Sequence, residues 1–323
     1  MTDRIPTLPG EVLITPKDGG APFRAVITQD DEPEQLGTAW SKANVLTDPT
    51  AIALGLDPAT DPTPNDAFFR LSDVAWQNAG AHNSIYRGKF LGNAVTPAQR
   101  AAIQAGTFED LYVGDYWEIL GYRWRIADFN YYMGCGSSEN TLVTANHAVI
   151  VPDTSIGATK RMNASNITTG GYMGSEMRGN VGAALAAGNL TEAIGIINQA
   201  FPGMVMQHEV YLTNAVTNGY PSGGAWCQSK VELMNEEMVY GSSHHKPMND
   251  GATTRQNHTV SKSQLSLFQH RHDLVRSQDS PWVSCWLRDV VSASRFAIVG
   301  SNGYSGNGSA SNSNGVRPAF SIS

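Results

Sequence analysis

The sequence predicts an α+β fold in which a small proline-rich, β-containing module precedes a larger domain. Three observations support this fold class. Aromatic and aliphatic residues alternate at period two within residues 112–129, which is typical of a β-hairpin. Helix-capping residues precede apolar runs in the middle of the chain. Strand-like segments return from position 282 onwards.

The composition is that of a globular protein with few charges. Hydrophobic residues make up 41% of the 323 positions, and charged residues only 16%, against ~25% in a typical domain. The formal net charge of -7 argues against a nucleic-acid partner bound through bulk positive charge. No apolar run approaches the ~18 residues of a membrane helix, and the first residues lack the apolar region of a secretory signal.

The cysteine content predicts synthesis in a reducing cytosol. The three cysteines, Cys135, Cys227 and Cys285, are too few and too widely spaced to form a disulfide framework. Such sparse cysteines are typical of proteins made under reducing conditions.

The acidic N-terminal segment differs from the rest of the chain. Residues 1–75 contain twelve acidic and five basic side chains, which accounts for the whole net charge. Nine prolines lie before position 65, and because proline lacks the backbone N–H, long helices and central strands are not expected here. Residues 11–15 and 23–28 predict short strands. We therefore expect a module over residues 1–92, with a loosely ordered leader as the alternative, and a domain over 93–323.

The larger domain is predicted to open with a capped helix and a hairpin. Thr96 is the expected N-cap, Pro97 takes the first helical position, and the helix ends at Gly106. Residues 112–120 and 122–129 then predict two strands, and residues 147–152 predict a third, buried strand.

The middle of the chain is predicted to be helical and its end to be β. Capping patterns begin at Asn189 and at Ser229. Helices are expected over residues 193–200, 207–217, 233–240 and 263–269. Strands are expected over residues 282–286, 295–299 and 316–320. Polar loops are expected over residues 242–262 and 300–315.

No motif predicts a metal, a cofactor or catalysis. The pairs His244–His245 and His270–His272 lack further ligands at zinc spacing, so we expect solvated loop histidines. The chain has no phosphate-binding loop, zinc-protease motif or nucleophile elbow. A hydrolase with paired carboxylates remains an alternative, because such pairs meet only in space.

The loop at residues 300–315 is the most informative segment. It consists of Gly, Ser and Asn with Tyr304 and Ala310, and strand-like segments close it on both sides. Tyrosine gives contact area at low entropic cost, and Ser, Gly and Asn give adaptable hydrogen bonds, as in recognition surfaces. The alternative is a merely flexible loop.

The same region resembles a known family. Residues 286–300, WLRDVVSASRFAIVG, and residues 315–320, GVRPAF, resemble the C-terminal motif of phage and prophage structural proteins with a C-type-lectin-like domain. That family includes phage major tropism determinants and the variable proteins of diversity-generating retroelements. Residues 105–117, 149–153 and 169–175 are similar to the body of phage tail-fibre-like proteins, so the resemblance covers about residues 95–323.

The resemblance implies a fixed scaffold beneath a tolerant surface. The scaffold residues that match the family motif are Trp286, Arg288, Gly315, Arg317 and Phe320. The residues expected to face the ligand are Ser294, Arg295, Ser301, Asn302, Tyr304, Ser305, Asn307, Ser309, Ser311 and Asn312. Cys285 stands where relatives often carry an aromatic residue. The calcium-ligand motifs of true lectins are absent, so calcium-dependent sugar binding is not expected.

The implied function is recognition without bond chemistry. The resemblance implies a non-enzymatic phage virion protein, made in the bacterial host cytoplasm. As a tail fibre or tail tip, it is expected to bind a glycan or protein receptor on the host cell. The N-terminal module is expected to bind other virion proteins and the chain to form a homotrimer, with no membrane or nucleic-acid partner. One alternative is a capsid decoration or head-fibre protein. Another is an enzyme of the formylglycine-generating type, whose cysteine motif is missing here.

Overall fold

The chain folds into two compact units, Met1–Arg70 and Leu71–Ser323. The computed structural model describes residues 11–26, 46–213, 216–217, 220–221, 224–245 and 263–323. Within these ranges the structure is a mixture of helices and sheets, as the predicted α+β class requires. No helix among the described residues has the length and apolar character needed to cross a membrane.

The boundary between the units lies earlier than the predicted one at 92/93, because residues 79–92 are tied into the larger unit. The Asn83 side chain hydrogen-bonds both the N–H and the carbonyl of Phe129, at 2.8 and 3.0 Å. Tyr86 forms a parallel bridge with Val113. Composition therefore located the boundary between the two units only approximately.

The smaller unit contains the two predicted strands and a small apolar core. Strand β1 (Glu11–Ile14) pairs antiparallel with β2 (Phe23–Val26). Helix α1 (Asp48–Ala53) is followed by α2 (Pro64–Trp76), which has 13 residues despite the proline density and continues past Arg70 into the larger unit. Pro64 is tolerated because it stands in the first turn, where its missing N–H has no intrahelical partner. The buried apolar residues are Leu46, Ala51 and Ala67.

The larger unit contains thirteen strands and five helices among its described residues. The strands are β3 (Phe90–Gly92), β4 (Tyr116–Ile119), β5 (Tyr122–Phe129), β6 (Ala148–Pro152), β7 (His208–Thr213), β8 (Val216–Thr217), β9 (Tyr220–Pro221), β10 (Gly224–Ser229), β11 (Val231–Leu233), β12 (Cys285–Ser292), β13 (Arg295–Val299), β14 (Ser305–Ser309) and β15 (Pro318–Ile322). The helices are α3 (Ala79–Asn83), α4 (Pro97–Ala105), α5 (Thr191–Ala200), α6 (Glu236–Tyr240) and α7 (Ser266–His270).

A six-stranded sheet forms the centre of this unit, in the order β11-β15-β6-β5-β4-β3. Every pairing is antiparallel except that of β3 with β4. Phe320 on β15 pairs with Val231 on one side and Ile150 on the other. The last strand in the sequence is therefore an interior strand of the sheet.

The predicted hairpin is confirmed and carries the aromatic core. Trp117 on β4 pairs with Trp124 on β5, and both indoles are fully buried. Leu120 and Gly121 form the turn, with φ of 54° and 77°, and positive φ at both positions is what a tight two-residue hairpin turn requires. The Trp124 ring centroid lies 5.7 Å from that of Phe320, which joins the hairpin to β15.

Helix α4 is confirmed, including its cap. The Thr96 hydroxyl accepts the Gln99 N–H at 3.2 Å, and the Gln99 side chain accepts the Thr96 N–H at 3.0 Å. Gly106 ends the helix with φ of 74°. For α5 the predicted end at Ala200 is confirmed, but the helix begins at Thr191, two residues before the predicted start. The predicted cap was wrong, because Asn189 instead donates to the Arg161 carbonyl at 2.9 Å.

Two predicted helical features are wrong. Residues 208–213 form β7, which pairs with β10, and Val210 and Leu212 are buried while Tyr211 between them is partly exposed. The expected capping box at Ser229 is also absent. Ser229 ends β10, and Glu232 on β11 forms a buried ion pair with Arg178 at 3.0 Å, so this acidic residue serves the core.

Candidate binding surface

The predicted ligand-facing residues lie on or beside a separate three-stranded sheet, β12-β13-β14. All its pairings are antiparallel, with Cys285 opposite Val299 and Val299 opposite Ser305. We call the ten predicted residues between Ser294 and Asn312 the C-terminal surface. Six lie outside the strands, in the turns that flank β13 and β14. Their role in binding stays a prediction.

Residues 300–315 are not one continuous loop, because β14 lies within them. Along β14 the side chains of Ser305, Asn307 and Ser309 are partly exposed, whereas Gly306 and Gly308 are buried. The glycines allow a close approach to aromatic rings. A Cβ on Gly308 would lie 3.1 Å from the Trp286 indole, and one on Gly306 would lie 2.7 Å from the Tyr304 ring. The Gly-x-Gly pattern therefore indicates strand packing rather than flexibility.

The predicted scaffold residues are all buried, Trp286 and Arg288 on β12 of this sheet and Phe320 on β15 of the six-stranded sheet. Trp286 donates its indole N–H to the Lys160 carbonyl at 2.7 Å, and its ring packs edge-on against Phe296. Gly315 accepts the Trp286 backbone N–H at 3.0 Å and lies too close to Ser155 and Cys285 for a larger residue. The base of β14 is thus fixed by backbone bonds and by an indole.

Arg317 joins three segments from inside the core. Its guanidinium donates to the carbonyls of Pro152, Leu274 and Val275, at 2.7, 3.0 and 2.7 Å. Burial lowers the pKa of Arg317, because three neutral carbonyls replace water around the charge. Arg288 is also buried, with its backbone N–H on the Met234 carbonyl.

One end of the C-terminal surface is built around Tyr304. The Tyr304 carbonyl accepts the Gly300 N–H and the Gly300 carbonyl accepts the Gly303 N–H, both at 2.8 Å, which makes a tight turn. The ring lies across Gly300 and Gly306, and no Cβ could occupy either position without meeting it. Tyr304 is nevertheless 55% exposed, so its other face is open to solvent.

The other end is polar and is held by a second loop. Ser311 donates both its hydroxyl and its backbone N–H to the Asn166 side chain, at 2.7 and 3.1 Å. Arg295 on β13 donates to Asn307 on β14 at 2.7 Å. Asn312 is exposed at the tip. The structure therefore divides the predicted residues between two ends of one strand.

A cleft of about 460 Å³ adjoins the Tyr304 end. It is lined by His272, Asp273, Arg276, Asn302, Gly303 and Tyr304. Three of these residues, His272, Asp273 and Arg276, precede β12 in the sequence. Tertiary packing places them beside the C-terminal surface. No local signal separates Arg276 from other polar loop residues. The pair at positions 270 and 272 was interpreted as solvated, and His272 is indeed exposed.

A buried carboxylate supports the start of β14. Glu236 at the start of α6 accepts the backbone N–H groups of His244 and His245, at 3.2 and 3.0 Å, and the Ser305 hydroxyl at 3.3 Å. His245 in turn contacts the Ser305 carbonyl at 3.0 Å. The predicted loop over residues 242–262 lies outside the described residues beyond position 245.

The cysteines lie apart from this surface chemistry. Cys135, Cys227 and Cys285 are buried and unpaired as disulfides, and burial raises the pKa of Cys227 and of Cys285 to about 11. In the described part of the chain, no group of three His, Cys, Asp or Glu side chains is placed to hold a metal ion. Comparison with family models, curated proteins and solved structures found no match to this chain.

Proposed function

We propose that the chain is a phage virion protein, a tail fibre or tail tip, that recognises the host cell through the C-terminal surface. The observation that carries the proposal is the alternation along β14. Gly306 is buried against the Tyr304 ring and Gly308 against the Trp286 ring, whereas Ser305, Asn307 and Ser309 are partly exposed. Outward positions on such a strand can change without altering the packing beneath them, which suits a surface adapted to changing receptors.

We also propose the finer fold, a C-type-lectin-like domain, for the larger unit. Two features support it. The polar surface is carried by a small sheet separate from the six-stranded one. The closing strand β15 lies inside the larger sheet, where it connects β11 with β6. The motif at residues 286–300 and 315–320, on which the resemblance depends, supplies the buried base formed by Trp286 and Arg317.

The acidic N-terminal module would attach the chain to the virion and assemble it as a homotrimer. Several copies of one weak site on a virion give an avidity that exceeds the single affinity by ~10²–10⁴ when the geometry allows simultaneous contact. A shallow, polar surface such as this one then suffices for adhesion. The receptor in this proposal is a glycan or protein of the bacterial surface.

The test is binding of the labelled full chain to intact cells from a panel of bacterial strains, measured by flow cytometry. The surface variant carries Asn302→Ala, Asn307→Ala, Ser311→Ala and Asn312→Ala, and it keeps every glycine of β14. The matched control carries Asn198→Ala and Gln199→Ala, two exposed positions of α5. We expect the wild type and the control to bind one strain, and the surface variant to bind at least about tenfold less.

Each other outcome removes part of the proposal. Equal binding of the surface variant would show that recognition uses another surface. The wild-type chain is also tested with many copies coupled to one particle. If neither form binds any strain, host recognition is excluded. Binding of that same protein to purified capsid shells would instead support a capsid decoration protein.

A further inference from the structure

The cleft beside Tyr304 contains the guanidinium group of Arg276. The Arg276 guanidinium lies 3.9 Å from the centroid of the Trp282 ring, which is 56% exposed. Among the described residues, Arg276 forms no ion pair, unlike its neighbour Arg271. Stacking on an indole fixes the guanidinium plane and leaves its N–H donors available to a ligand.

The acidic residue of the cleft does not cancel this charge. Asp273 is engaged by Arg271 through two hydrogen bonds, at 2.8 and 2.7 Å. Those bonds, and more weakly the charge of Arg276, lower the pKa of Asp273, so one ionised carboxylate lies beside the two guanidinium groups of Arg271 and Arg276. The net charge of -7 on the whole chain acts mainly from further away, and at physiological salt such charges are screened beyond ~8 Å. The cleft is therefore locally positive.

The Tyr304 ring lines the same cleft as Arg276 and is held in a fixed position. The Tyr304 ring is supported from beneath by Gly300 and Gly306, so it costs little entropy to use as a contact. Gly303 brings the turn close to Arg276, since a Cβ at Gly303 would lie 3.5 Å from the Arg276 Cβ. The Tyr240 hydroxyl holds the Gly303 carbonyl at 3.2 Å. Aromatic face and cation are thus held next to each other.

We propose that this cleft binds a sugar unit that carries an anionic substituent, a carboxylate or a phosphate. The ring of the sugar would pack on Tyr304, the anion would accept hydrogen bonds from Arg276, and Asn302 and His272 would bond the hydroxyls. A cleft of about 460 Å³ accommodates one or two such units. The inference rests on the proposed function for its biological meaning, since it names the receptor chemistry.

The test measures direct binding of three probes to the full chain by ligand-observed NMR. The probes are glucuronate, glucose 6-phosphate and glucose, so the two anions are compared with each other and with a neutral ring. We expect at least one anion to bind about tenfold or more tightly than glucose, and to weaken as salt rises. The better of the two anions identifies the carboxylate or the phosphate as the natural group. Equal binding of all three, or of none, would overturn the inference.

Variants assign the effect to the cleft. Arg276→Gln should weaken the binding of the preferred anion by about 10- to 100-fold, because a charged hydrogen-bonding group is lost, and should leave the binding of glucose unchanged. Tyr304→Ala should weaken all sugars alike. The matched charge control is Lys89→Gln, whose amine pairs with Asp110 outside the cleft. If Arg276→Gln binds the anion as the wild type does, the assignment is wrong, and a thermal unfolding curve for each variant confirms that it is folded.

The same variants separate this inference from the proposed function. Suppose cells bind the wild type and not the surface variant, yet bind the Arg276→Gln chain normally. Host recognition then stands and the anionic sugar is wrong. If the anions bind the cleft but no cell binds the chain, the cleft chemistry stands and host recognition fails.

Discussion

At the scale of single residues, the contact between Gly308 and Trp286 determines whether β14 can form. The indole occupies the space that any side chain at position 308 would need. Its N–H is already bound to the Lys160 carbonyl, so the ring cannot turn aside without breaking that bond. Gly308 is therefore a requirement of packing, although its sequence context is typical of a flexible loop.

Gly308→Val should lower the free energy of unfolding by about 1–3 kcal/mol, because the added methyl groups overfill the space above Trp286. Urea unfolding followed by tryptophan fluorescence measures this loss. Asn307→Ala, at the neighbouring outward position, should change stability by less than about 0.5 kcal/mol. A Gly308→Val chain as stable as the wild type would show that the indole can move.

His208 provides a second prediction at this scale. Its ring is buried 4.2 Å from the Tyr132 ring, and burial, reinforced by nearby His147, lowers the pKa of His208 to about 3. The unfolded chain takes up this proton near pH 6.5. Between these two values the unfolded state binds more protons, so the free energy of unfolding falls as the pH falls.

From pH 7 to pH 5 the wild type should lose about 2 kcal/mol through His208 alone. His208→Phe should show a flatter dependence in urea titrations at the two pH values, with a residual slope from His147, whose pKa burial also lowers. The matched control is His272→Gln, which removes a histidine from an exposed position. An unchanged slope in His208→Phe would place the acid sensitivity elsewhere.

At the scale of elements, the sequence correctly predicted those elements that depend on interactions between residues close together in the chain. Helix α4 and the β4–β5 hairpin were predicted because a capping box and a two-residue turn are encoded within a few positions. Strand β7 was missed because Val210 and Leu212 fit a helical spacing as well as a strand, and only pairing with β10 decides between them. The outward residues of the C-terminal surface followed from a motif, whereas Arg276 joins them only through the fold.

The cap of α4 can be tested by itself. Thr96→Ala should cost about 1 kcal/mol, because the Gln99 N–H loses its acceptor at the start of the helix. Thr191→Ala at the exposed start of α5, where no side chain caps the helix, should change stability by less than about 0.5 kcal/mol. Equal losses in the two variants would contradict the role of the capping box.

At the scale of the whole molecule, the larger unit has an extensive apolar core of its own. Among the described residues, the buried apolar cluster of this unit begins at Ile103, and the first residue packed against it is Ala79. The described residues of the smaller unit include a separate cluster of three buried apolar side chains. Small cores give little stability, so the two units should differ strongly in how firmly they fold.

A fragment of residues 77–323 should therefore unfold with the free energy of the full chain, within about 1 kcal/mol, and in one cooperative transition. Circular dichroism during urea titration measures both quantities, and the full chain is the control. A fragment that is less stable by several kcal/mol would show that the first 76 residues contribute to the larger core.

The interior position of β15 also has a consequence for how the protein is made. During translation β6 and β11 leave the ribosome long before Ile322 does. The strand edges that pair with β15 therefore stay without backbone hydrogen bonds until β15 has been synthesised. The six-stranded sheet therefore cannot be completed until β15 has been synthesised. A chain released early would expose apolar strands to aggregation and to proteases. A copy cut short before β15 would lack the strand that joins β6 to β11, so the six-stranded sheet could not form in it.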